Sequence, residues 1–175
     1  MPVRHIYSFA DPVLRQKARP VGRIDKATQR LIDDMIETMR AAEGIGLAAP
    51  QIGVLERLFV AELDEQVYVF INPQIVSLSQ ETEVAEEGCL SLPGYRGAVE
   101  RPTKATVRGK NRRGKIQTVE AEGLLARCFQ HEIDHLVGVL FTDRMAPDAV
   151  LRPVEQEEPA LRGTRPLWPR PMPAP

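Results

Sequence analysis

Gln130-His131-Glu132-Ile133-Asp134-His135 lies within a stretch, residues 124–137, that reads as a helix. The stretch follows Gly123 and contains no proline. It sets Leu124, Leu125, Cys128, Phe129 and Leu136 at near-helical spacing before Gly138 can close it. Side chains four apart share one helix face, so His131 and His135 point the same way. Two imidazoles so arranged can hold one metal ion, and Glu132 between them can face a water bound to it. A lone buried histidine is usually a satisfied core residue. A pair at this spacing, with a glutamate between, is a metal-site signature.

Outward from this helix the chain divides into short elements. A second, amphipathic helix is expected over residues 25–43, with Asp25 as N-cap and a stripe of Leu31, Ile32, Met35, Ile36 and Met39. Gly44 is expected in the left-handed position that ends it. These methionines read as core filling. Gly44-Ile45-Gly46-Leu47-Ala48-Ala49-Pro50-Gln51 is dense in small residues, which let a backbone pass close to another group. Gln51 is its only side chain able to donate hydrogen bonds, and a plain helix-to-strand connection is the competing reading. Residues 58–61 and 67–71 read as strands around a turn at Asp64-Glu65, with Asn72-Pro73 breaking the second. Residues 75–78 and 82–85 read as further strands. Cys89 stands between Gly88 and the Pro93-Gly94 turn, in a tight polar corner rather than in apolar periodicity. Residues 104–108 and 116–121 form an expected hairpin, with Lys110, Arg112, Arg113 and Lys115 as a solvated tip.

At 175 residues the chain can hold one domain with a buried core. A net charge of −1 gives no pull toward nucleic acid or an anionic membrane. The amino-terminal residues lack the apolar run of a signal peptide, and no apolar stretch approaches bilayer-spanning length. Cys89 and Cys128 make no disulfide framework and suit a reducing compartment, so a soluble cytoplasmic protein is expected. The folded domain is expected over residues 1–146. Eight of the fifteen prolines fall in 147–175, which is expected as an extended or disordered tail.

A catalytic metal typically has three protein ligands and an open position, so the third ligand decides the class. A metzincin-type protease would place a third histidine where this chain has Phe141. A thermolysin-type glutamate could come only from Glu155, Glu157 or Glu158, in the proline-rich segment. Cys128 lies on the same helix face, but three ligands from one straight helix converge poorly on one ion. Cys128 therefore reads as pocket lining, and Cys89, from another element, as the better third ligand.

Three segments together, Gly44-Ile45-Gly46-Leu47-Ala48-Ala49-Pro50-Gln51, Glu87-Gly88-Cys89-Leu90-Ser91 and His131-Glu132-Ile133-Asp134-His135, resemble the motifs of the peptide deformylases, in order. The resemblance takes in Asp11-Pro12-Val13-Leu14-Arg15 and runs to about Met145. It implies an α+β fold in which antiparallel sheets surround the motif-bearing helix. It implies a hydrolase that removes the N-formyl group from the initiator methionine of nascent polypeptides and releases formate. Cys89, His131 and His135 would then bind the metal, Glu132 would be the general base, and Gln51 with the Leu90 N–H would hold the oxyanion. Ile45 and Gly46 would pair with the peptide backbone, and Arg96 would contact substrate beyond the methionine. Leu124, Cys128 and Ile45 are candidate walls of the methionine pocket. Glu87 is grouped with the substrate side as an orienter, and Arg127 is placed at the pocket mouth or in a solvent-facing ion pair.

One sulfur and two imidazoles accept Fe(II), Zn, Ni or Co. The resemblance favours Fe(II) in the cell, with zinc, nickel or cobalt open to a purified sample. It further implies a monomer acting at or near the ribosome, with no specific nucleic-acid or membrane binding. Ala10 stands where the family often has proline, and residues 147–175 cannot form the ribosome-docking helix of some members. A metalloprotease with another third ligand and a catalytically silent metal-binding module are the alternatives.

Overall fold

A computed structural model describes residues 2–154. The Asp25 carboxylate accepts from the backbone N–H groups of Ala27 and Thr28, while the Thr28 hydroxyl accepts from the Asp25 N–H. This reciprocal cap opens helix α1 (Lys26–Ala41). Its buried face (Ile32, Met35, Ile36, Met39) shares an apolar cluster with Leu47, Leu58, Val60 and Ile71. The left-handed residue after α1 is Glu43, at φ 55°, and not Gly44. Gly44 serves another purpose, because a Cβ there would lie 2.7 Å from Leu90 Cδ1.

Strands β1 (Gly46–Ala48), β2 (Leu58–Leu63), β3 (Gln66–Leu78), β4 (Thr82–Cys89), β5 (Leu92–Pro102), β6 (Lys104–Lys110) and β7 (Ile116–Glu122) follow in chain order. The larger sheet is antiparallel throughout, in the order β1-β2-β3-β6-β7. Asp64 and Glu65, at φ 50° and 63°, make the tight β2–β3 turn. Asn72-Pro73 bends β3 rather than breaking it. Asn72 takes φ 52° at a register shift, and its amide is held by both backbone groups of Val21. The smaller sheet contains β4, β5 and β8 (Arg152–Pro153). Strand β5 was not expected from the sequence, and neither was β8. The latter falls inside the expected tail, where Arg152 pairs opposite Arg96 and Pro153 opposite Tyr95. The remainder of that tail, 155–175, lies outside the described residues.

Helix α2 (Gly123–His135) is enclosed by these strands. Phe129 packs against the rings of Phe59, Tyr68 and Phe70, with centroids 5.2–5.6 Å apart. Three residues past the end of α2, Gly138 takes φ 75°, and a Cβ there would meet Arg15 O at 2.6 Å. The segment ahead of α1 crosses the molecule as a strap. Its Tyr7 N–H donates to Gln51 O (2.8 Å), Phe9 N–H to Ser91 O (3.0 Å) and Ala18 N–H to Leu136 O (2.9 Å). The basic hairpin tip is not wholly solvated, since Arg112 docks on α1 through Gln29 (3.1 Å) and Asp33 (2.8 Å).

Candidate metal centre and active site

Strand β4 ends at Cys89, where the β4–β5 register shifts between Glu87 and Cys89. This delivers the sulfur to the face of α2 that carries His131 and His135. One ligand atom from each of the three lies within 4.8 Å of the others, and all three side chains are buried. Cys89 Sγ is 3.3 Å from His135 Nε2. Among the described residues this cluster has three members, which suits a catalytic site more than a closed structural one. His135 Nδ1 is buried with no hydrogen-bond partner among the described residues. A thiol with two imidazoles, brought out of water at this separation, fits a borderline-soft divalent ion.

The His131 ring is oriented from behind. Its Nδ1 lies 2.9 Å from Glu87 Oε2, and with the proton on Nδ1 the other ring nitrogen, Nε2, is the one able to act as a ligand. Burial disfavours charge on His131, yet hydrogen bonds with Cys89 and Glu87 outweigh it and hold the ring above its usual value. Burial depresses His135 well below the ordinary histidine value. Glu87 is fully buried, and both its oxygens are taken by Arg101, Arg127 and His131. Both oxygens are therefore engaged inside the protein, and one of them meets the His131 ring.

Glu132 is buried beside β1, where its Oε2 lacks a hydrogen-bond partner among the described residues. Burial pushes its pKa up to about 7. Space for this carboxylate comes from Gly46. A Cβ there would collide with Glu132 Oε1 and lie 2.8 Å from Cys128 Sγ. The small-residue run of the first motif is thus the close approach that its composition suggests. Cys128 is buried, 3.7 Å from Ile45 O, and burial pushes its thiol well up. That disfavours the thiolate a metal needs.

Gln51 sits in the 3-10 turn Ala49–Ile52, and its amide is fixed at both ends. Oε1 accepts from Ala48 N–H at 2.9 Å, while Nε2 points to Cys89 Sγ at 3.4 Å and Ser91 Oγ at 3.2 Å. Leu90 follows Cys89 directly and packs over Gly44. Ile45 and Leu124 are half-buried. Arg96 stands on β5 opposite Arg152, its Nε buried without a hydrogen-bond partner among the described residues.

Arg127 lies neither at a pocket mouth nor in solvent. It is buried and turned toward β4 and β5. The sequence reading missed Arg101, which bridges Glu87 to Asp134 Oδ2 (3.0 Å), and Arg144, which takes the same Oδ2 (2.6 Å) and also Oδ1 (2.7 Å). It also missed Ser91 as a partner of Gln51. Asp134 sits inside the quoted hexapeptide and could have been flagged there. Nothing in the local sequence marks Arg101.

Known proteins bear on this arrangement. A family model for polypeptide deformylase matches residues 3–150. A peptide deformylase from Rhizobium meliloti is 53% identical over 160 residues, covering 87% of this chain and 92% of its own length. One from Halothermothrix orenii is 53% identical over 147 residues, covering 83% and 95%. The crystal structure of peptide deformylase from Thermotoga maritima superposes with a TM-score of 0.82 at 46% identity, covering 84% of this chain and all of that one. A second, from Synechococcus elongatus in complex with actinonin, gives 0.82 at 46% identity, covering 85% and 81%. The match takes in all three motif segments, both sheets up to the end of β7, and the helix they enclose. By that extent of shared sequence and fold, the chain belongs to the polypeptide deformylase family.

Proposed function

We propose that Cys89, His131 and His135 hold one divalent metal ion, and that Glu132 beside them moves the protons of deformylation. The reaction is hydrolysis of the N-formyl group of a nascent chain's terminal formylmethionine, giving formate and a free amine. The observation that supports these roles is the convergence of three buried ligand atoms within 4.8 Å beside a carboxylate whose burial raises it to about 7. When bound, such an ion polarises a carbonyl and lowers the pKa of water toward ~7. Glu132 takes the attacking water's proton and delivers it to the departing amine. The Gln51 amide and the Leu90 N–H donate to the oxygen that gains charge. Ala48 fixes the Gln51 amide through Oε1, and Nε2 turns one of its hydrogens from Cys89 or Ser91 to the oxygen gaining charge. Ile45, Leu124 and Cys128 wall the methionine side chain, Ile45 and Gly46 align the peptide backbone, and Arg96 meets the chain beyond it. Fe(II) is the ion in the cell, and zinc, nickel or cobalt replace it in a purified sample. The protein works as a cytoplasmic monomer close to the ribosome, and its catalytic domain extends past the expected boundary at 146 to include β8. No helix of the described residues is long and apolar enough to cross a membrane.

Formate release from a formyl-Met peptide by anaerobically prepared Fe(II) protein tests the reading. Cleavage of internal peptide bonds without formate would favour a metalloprotease instead. Gln51→Leu is expected to lower kcat by about 10²-fold, or ~3 kcal/mol of barrier, with a smaller change in KM. A change confined to KM would reassign Gln51 to ground-state binding.

A further inference from the structure

Glu87 is held by two guanidinium groups, and one would neutralise it. Arg101 binds it through Nε and Nη2 and carries on to Asp134. Arg127 nevertheless turns inward from α2 and is buried. Burying a guanidinium costs several kcal/mol unless its hydrogen bonds are met. Here Nη1 donates to Glu87 Oε1 (2.9 Å) and Val99 O (2.9 Å), and Nη2 donates to Glu83 O (2.8 Å). Residues 127 and 131 are one helical turn apart, on one face. Arg127 thus grips Oε1 of the same carboxylate whose Oε2 accepts from His131 (2.9 Å). Its carbonyl partners belong to β4 and β5, the two strands whose junction presents Cys89. One side chain therefore ties the ligand-bearing helix to the ligand-bearing hairpin.

We propose that Arg127 is a positioning residue for the metal centre: by locking Glu87 between α2 and the β4–β5 ribbon, it sets the His131 ring and the approach of Cys89, so metal retention depends on it. This rests on the ligand assignment above. The test loads full-length wild type, Arg127→Met and Arg127→Lys with Co(II). It reads the visible absorption bands and the cobalt affinity by competition with a chelator, and it records thermal unfolding of the metal-free proteins separately. Arg127→Met is expected to bind cobalt roughly 10–100-fold more weakly, with displaced bands. Arg127→Lys, which keeps the charge but cannot span Glu87 and both carbonyls, is expected to fall between. Wild-type affinity and bands in Arg127→Met overturn the proposal, even if that variant unfolds at a lower temperature. Should Arg127→Met not fold, Arg127→Lys decides by the same two readouts. If wild type itself binds no cobalt, the ligand assignment fails and takes this proposal with it.

Discussion

Glu132→Ala is expected to lower kcat for formyl hydrolysis by roughly 10²–10⁴-fold while the protein keeps its metal. The carboxylate is no member of the three-ligand cluster, so removing it leaves Cys89, His131 and His135 in place. Its pKa of about 7 suits a group that must both accept and return a proton at neutral pH. That value arises because the fold buries the carboxyl and leaves Oε2 without a hydrogen-bond partner among the described residues. Formate release and metal content measured on one sample check the claim. Turnover within a few-fold of wild type would place the base elsewhere, and loss of the metal would make Glu132 part of the binding site.

The largest loss of stability is expected from Glu87→Ala. It strips Arg101 and Arg127 of their shared counter-ion inside the protein, with side-chain exposures of 3% and 7%. Breaking one partner out of a buried ionic cluster costs about 3–5 kcal/mol. For a domain of this size that is a fall in Tm of roughly 6–20 °C. Asp134→Ala should lose less, because its second partner, Arg144, is half exposed and can turn to water. The pH dependence has a definite sign. Burial opposes ionisation of Glu87, but His131 and Arg101 overcome it and hold the carboxyl well below the usual range. In the unfolded chain it titrates near ~4.3. Its stabilisation is therefore complete above that value and fades only as pH falls toward the lower native one. The stability gap between wild type and Glu87→Ala should persist from pH 7 to pH 5 and narrow in stronger acid. Closure of the gap by pH 5 would mean that the Glu87 carboxyl is not held low in the native protein.

Features with a local signature were legible in the sequence. The four-residue interval between His131 and His135, the Asp25 cap, the Asp64-Glu65 turn and the glycine-rich approach at Gly46 each depend on neighbours in the chain. What escaped depends on distant partners. Strand β5 carries Pro93, Gly94 and Gly97 and lacks a clean alternation, so it becomes a strand because β4 lies beside it. Asn72-Pro73 stays within β3 because Val21, far off in sequence, secures the bulge. Arg127 reads as a surface arginine until Glu87 and two strand carbonyls are known to face it. Gly44 has the composition of a helix terminator, but Glu43 takes the left-handed position instead.

The amino-terminal strap bears on how such a protein is handled. Three of its backbone ties run to Gln51, Ser91 and Leu136, one at or just beyond each motif segment. A chain trimmed past Ala18 would still carry all three motif segments. It would have lost the thread that stitches those three segments to one another. Membership read from motifs and competence as a catalyst are thus separable at the amino terminus. A tag or a fusion acts there, on residues outside all three motif segments.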